Sequence, residues 1–153
     1  MAVMVLVLVV HGPNLNMLGK REPDIYGMTT LDEVNAGLRL RGKELGLVVE
    51  TFQSNYEGAI VERIQEAVGK HSGLIINPAA YTHTSIAIRD AILTLDVPVV
   101  EIHLSNIYKR EPFRHKSVIA DIANAQIAGF GVRGYDMALE GIAEMIHPQP
   151  TSV

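Results

Sequence analysis

The first ten residues, MAVMVLVLVV, are all apolar, and the polar run HGPNLN follows at once. An unbroken Val/Leu stretch closed by a Gly-Pro turn predicts a strand buried on both faces, the pattern of a parallel sheet covered by helices on either side. The stretch is too short to cross a bilayer, and neither a basic region before it nor a small-residue cleavage site after it marks a secretory signal. From residue 30 the period changes. Leu31, Val34, Leu38 and Leu45 fall on one stripe, Thr29 or Thr30 can cap the first turn, and Glu33 completes a capping box with Thr30. A helix is therefore predicted to about Leu45, where Gly46 stops it.

The alternation repeats along the chain. LVVETF (47–52) predicts a second strand, 58–68 a helix, Gly73–Asn77 a short buried third strand, 84–95 a helix capped by Thr84, and 97–103 a fourth strand. A short helix near 115–122, a fifth strand in QIAGF (126–130) and a closing helix over 135–146 complete the series, with 148–153 a loose tail. This predicts a single α/β domain over 1–147, doubly wound, with a five-stranded parallel sheet in the flavodoxin-like order 2-1-3-4-5. On the helix over 84–95, Ala87, Ile88, Ala91, Ile92 and Leu95 are expected to face the sheet, while Ile86 and Leu93 face away beside Arg89 and Asp90. In the predicted order strands one, three and four are neighbours, so the segments beyond their carboxyl ends converge on one crevice.

Those three segments hold the reactive groups. The first, HGPNLNMLGKREPDIYG, is longer than ordinary connections and brings Asn14, Asn16, Lys20, Arg21, Glu22 and Tyr26 around two glycines, Gly19 and Gly27, that can hinge a closing loop. The second, NPAAYTHTS, offers the Asn77 amide to a carboxylate and places His83 just before a helix. The third is EIHLSNIYKREPFR. Glu101 and His103 are two apart on a strand and share a face, so the carboxylate can orient the imidazole as a general acid requires. The backbone amides of Leu104 and Ser105 can receive an anionic oxygen, and Arg110 and Arg114 supply positive charge. Tyr26 is a poor base at a reference pKa of about 10 unless a cation stabilises its phenolate, and Arg21 is the candidate. Together these groups suit removal of a proton beside a carbonyl with acid-assisted departure of a leaving group. His11, at a strand end, reads as structural, and His71, His115 and His147 as solvent-facing.

Composition narrows the choice of substrate. A net charge of -4 argues against a general nucleic-acid binder, yet six of the thirteen Lys and Arg lie in two windows, 20–21 and 109–116, as a local anion site would have them. The absence of cysteine excludes a thiolate nucleophile, a disulfide framework and a zinc-thiolate cluster, and fits a cytoplasmic protein.

The segments GPNLNMLGKREPDIYG, FQSNYEG, INPAAYTHTS, EIHLSNIYKREPFRHKS and GFGVRGYDMAL, in this order, closely resemble type II 3-dehydroquinate dehydratases over about residues 5–146. The resemblance implies a flavodoxin-like subunit, assembled as a dodecamer of trimers, that removes water from 3-dehydroquinate with neither metal nor other cofactor. Carried over by position, it makes Tyr26 the base, with Arg21 beside it, and His103 the acid, oriented by Glu101. Asn14 matches the residue that holds a water against the developing enolate. Asn77, Leu104 and Ser105 match carboxylate binders, His83 and Arg114 match ring-hydroxyl binders, and Asp90 matches a contact given to an adjacent subunit's site. Three departures are visible: Ala79 where Gly is common, Met17 for a common Leu, and Tyr56 where His often stands.

Two other classes fit the residues less well. A metal-dependent hydrolase built on His11, His83, His103 and Glu101 lacks an HExxH-type spacing and leaves the Tyr26–Arg21 loop without a purpose. A flavodoxin-like binding module without catalysis needs acidic residues or a hydroxyl-rich phosphate loop after strand one, where this chain has His11-Gly12.

Overall fold

A computed structural model describes residues 4–20, 24 and 27–148. Five strands form one all-parallel sheet: β1 (Leu6–His11), β2 (Val48–Gln53), β3 (Gly73–Asn77), β4 (Val99–His103) and β5 (Ala125–Ala128), in the order β2-β1-β3-β4-β5. This is the flavodoxin-like order predicted from the sequence. Helices α1 (Leu31–Glu44), α2 (Glu57–Glu66), α3 (Ile86–Ile92) and α4 (Arg133–Ile146) cover its two faces. Successive side chains of β1 divide between the layers. Val7 and Val9 pack with Leu31, Val34 and Leu38 of α1 and Ala138, Leu139 and Ile142 of α4; Leu8 and Val10 pack with Ile60 and Ile64 of α2 and Ile88 and Ile92 of α3. All four strand residues are completely buried, which is why the run carries no polar alternation.

Local signals set most boundaries. Thr30 caps α1 by accepting the Glu33 N–H at 3.2 Å, and Gly46, at φ 77°, turns the chain out of it. The helix predicted over 84–95 is shorter and is capped by Ser85 instead of Thr84, its hydroxyl accepting Ile88 N–H at 3.0 Å. Thr94 ends it by directing its own hydroxyl to the Ala91 carbonyl at 2.6 Å. Ala87 is exposed, not turned to the sheet, while Ile88, Ala91 and Ile92 are buried as expected.

The helix predicted near 115–122 does not form. Its backbone is claimed by distant partners: Val118 N–H donates to Thr82 O at 2.9 Å, the Val118 carbonyl accepts from Arg89, and the Ser117 hydroxyl accepts from both Ile119 and Ala120. Each of those bonds replaces a helical one, so the segment is a series of turns. Asn124 then docks to the start of β4 through its backbone and side chain, bonding Val99 at 2.8 and 2.9 Å, which leads directly into β5. Of the predicted tail, residues 149–153 lie outside the described residues.

Candidate active site

The carboxyl ends of β1, β3 and β4 lie side by side, and the turns that follow them enclose one cleft. Register aligns His11 with Asn77, and the Gly12 N–H continues the ladder onto Asn77 O at 2.8 Å. A Cβ at residue 12 would lie 2.4 Å from the Pro78 carbonyl, so only glycine lets the two strand ends approach this closely. The cleft holds about 850 Å³ with its open mouth included, room for a substituted six-membered ring. Asn14, Asn77, His83, His103, Leu104, Ser105, Arg110 and Arg114 all line it.

Alternation along β4 sends Ile102 into the layer under α4 and turns Glu101 and His103 the other way. Glu101 is wholly buried, and Oε2 accepts the His103 Nε2–H in a very short bond. The pair fixes the ring and leaves Nδ1 as the nitrogen available to the cleft. The other Glu101 oxygen, Oε1, is buried with no partner among the described residues.

On the opposite side of the cleft, His83 donates Nδ1–H to the Lys116 carbonyl at 2.8 Å, which leaves Nε2 free to meet a ligand. Arg114 is steadied by Glu111, whose Oε2 accepts its Nε–H at 2.8 Å; that bond holds the Glu111 carboxyl below the usual range. Asn77 accepts the Ala79 N–H on Oδ1 at 3.1 Å and turns Nδ2 toward the Tyr135 hydroxyl at 3.5 Å. Ala79 itself sits at φ 54°, a conformation that L residues with a Cβ avoid.

Beneath the cleft runs a buried polar chain. Tyr135 donates to His11 Nδ1 at 2.8 Å, and His11 Nε2 donates to Asn35 Oδ1 at 2.8 Å. Burial holds His11 in its neutral form, its pKa brought down from 6.5 to about 4, with the Asn35 bond opposing, and burial pushes the Tyr135 phenol up. His11 is structural, as the sequence suggests. His71, expected at the surface, is buried instead and bonded through Nε2 to Glu50 at 2.6 Å, because Ser72 N–H pairs with Leu6 O and draws the residue before β3 onto the sheet.

Two of the proposed chemical groups, Arg21 and Tyr26, lie outside the described residues. Asp90 is exposed on α3 and is not among the residues lining the cleft. No group of three His, Cys, Asp or Glu among the described residues is arranged to hold a metal ion. No helix among them is long and apolar enough to cross a membrane.

Against known proteins, the family described as Dehydroquinase class II matches residues 5–143. The chain belongs to that family. A 3-dehydroquinate dehydratase of Ruegeria pomeroyi is 54% identical over 143 residues, which cover 94% of this chain and 96% of the relative. A catabolic 3-dehydroquinase of Aspergillus oryzae is also 54% identical, with 90% of each chain covered. The solved type II dehydroquinase of Propionibacterium acnes has a TM-score of 0.88 at 45% identity, covering 93% of this chain and 99% of that one. This member of the class II dehydroquinase family is thus an enzyme, and its cleft is built by the same three strand ends that the sequence singles out. What sequence reasoning missed is the support: Asn35, Gln53, Asn55 and Tyr135 bond to cleft-forming segments from 24 to 124 residues away, without any local motif.

Proposed function

We propose that this chain dehydrates 3-dehydroquinate to 3-dehydroshikimate by acid–base elimination through an enolate. Tyr26, with Arg21 beside it, takes the proton from C2, and the electron pair passes into the carbonyl to give the enolate. Asn14 holds a water against that developing charge. Collapse of the enolate forms the C1–C2 double bond, and the C1 hydroxyl leaves as water after receiving a proton from His103. The Glu101 carboxylate keeps His103 oriented throughout, its Nε2–H on Oε2 and Nδ1–H aimed at the departing oxygen. The substrate carboxylate meets the Asn77 amide and the backbone amides of Leu104 and Ser105, while His83 and Arg114 receive the ring hydroxyls. Of those among the described residues, all but Glu101 line the cleft.

The observation that carries this reading is the buried Glu101–His103 pair at the end of a central strand, opening onto a cleft that also holds two arginines, Arg110 and Arg114. The acidic chain concentrates positive charge there, where an anionic substrate would sit. Relatives named for both the general dehydratase and a catabolic 3-dehydroquinase support the reaction, which serves shikimate biosynthesis or quinate breakdown alike. The test is direct: adding 3-dehydroquinate should raise the near-ultraviolet absorbance of the conjugated enone product, and a flat trace would refute the proposal.

The reading extends to assembly. Ile86 and Leu93, 56% and 57% exposed, flank Asp90 and Arg89 on the outer side of α3, an apolar patch with a charged centre as subunit contacts have. We infer a homo-oligomer, a dodecamer of trimers, in which Asp90 serves a neighbouring subunit's cleft.

A further inference from the structure

The segment FQSNYEG, at the end of β2, contributes no residue to the cleft lining and has no part in the reaction above. Its geometry is nevertheless centred on the cleft. Asn55 Oδ1 accepts the backbone N–H of Asn14 at 2.9 Å and the Gln53 Nε2–H at 3.1 Å. Gln53 Nε2 also donates to the Gly12 carbonyl at 3.2 Å, and the Asn55 carbonyl accepts the Tyr81 hydroxyl at 3.0 Å. One residue therefore ties together the loop after β1, the end of β2 and the turn after β3.

Asn14 is where that tie matters. Its backbone is left-handed, at φ 69° and ψ -5°, a conformation that asparagine tolerates better than other residues with a Cβ but does not prefer. The bond from its N–H to Asn55 is what the fold offers in return, and the turn it stabilises carries the Asn14 side chain into the cleft. We propose that Asn55 is a positioning residue for Asn14, holding the left-handed turn so that the Asn14 amide meets the charge that develops on the substrate. The proposal rests on the role given to Asn14 under the dehydratase reading.

Both side-chain bonds are accepted by the Asn55 oxygen, so a carboxylate can replace the amide whereas a methyl group cannot. Asn55→Ala should lower kcat about 10- to 100-fold, with KM changed less than about threefold, because misplacing a group that acts in the transition state affects turnover more than binding. Asn55→Asp should stay within about threefold of the parent, and Asn55→Ala should cost little more once Asn14→Ala is present, since the two act as a unit. Unchanged kinetics in Asn55→Ala, equal damage from Ala and Asp, or fully additive losses with Asn14→Ala would each overturn the proposal. Amide exchange of the 12–18 peptide gives a readout that needs no turnover: it should quicken in full-length Asn55→Ala and not in Asn55→Asp. A parent chain inert toward 3-dehydroquinate would sink the reaction reading alone, and equal exchange in the parent and Asn55→Ala would then sink the clamp.

Discussion

Tyr135 donates its hydroxyl to Nδ1 of His11 at 2.8 Å, joining the last helix to the end of the first strand across 124 residues of chain. The bond requires His11 to be unprotonated on Nδ1, since Nε2–H is already given to Asn35.

Acid should therefore destabilise the fold through this one histidine. In the unfolded chain His11 takes a proton below about pH 6.5, but in the folded protein only near pH 4, so stability is complete above 6.5 and falls as pH drops through that window. The depression corresponds to roughly 3 kcal/mol lost by pH 4. Urea midpoints at pH 7 and pH 4.5 should fall further apart for the parent than for His11→Gln. Equal differences would show that His11 is not the group responsible.

The Glu101–His103 pair predicts two unequal losses. His103→Ala removes the proposed acid and should cost about 10²- to 10⁴-fold in turnover. Glu101→Gln keeps the shape but offers the imidazole a less polar partner, so kcat should fall by less, with KM close to the parent value. Initial rates from the enone absorbance give both numbers, and a Glu101→Gln enzyme as poor as His103→Ala would mean that the carboxylate does more than orient.

Ala79 offers a stabilising substitution at the cleft. At φ 54° its Cβ is strained, and Ala79→Gly should raise stability by about 0.5–1 kcal/mol, the relief exceeding the added entropy of the unfolded chain. The denaturation midpoint should rise with an unchanged denaturant slope. A lower midpoint would mean that the methyl group's packing against the neighbouring core outweighs the strain.

Complementation between chains tests Asp90. Tyr26→Phe and Asp90→Ala subunits, each impaired alone, should regain activity when exchanged into one assembly, because some sites then combine an intact Tyr26 from one chain with an intact Asp90 from another. Verified exchange with no recovery would remove Asp90 from the neighbouring site.

Much of the sheet is legible in the sequence because its signals are local. β1 is a closed Val/Leu run, Gly73–Asn77 emerges with its predicted bounds, and Thr30 caps α1 as its spacing with Glu33 suggests. The parallel order then brings Asn14, Asn77 and His103 to one place without further information. What the sequence hides depends on partners far along the chain. Residues 115–122 have helical periodicity, yet Thr82 and Arg89 take the Val118 peptide groups; the helix after β3 is predicted to start on Thr84, yet the buried Ser85 hydroxyl holds the Ile88 N–H. His71 misleads for the same reason, its partner Glu50 lying 21 residues away on β2.

The alternation of β4 also constrains which changes in chain length the protein can accept. Val100 and Ile102 belong to one apolar layer, whereas Glu101 and His103 face the other way. Deleting or inserting one residue within Val99–His103 would exchange the two sets, burying a carboxylate and an imidazole among aliphatic side chains and pointing Ile102 at the cleft. Such a frame shift would abolish folding and chemistry together. Lineages descended from this chain can therefore vary in length at turns such as the exposed stretch 68–70 around Gly69, but the five residues of β4 must keep their count.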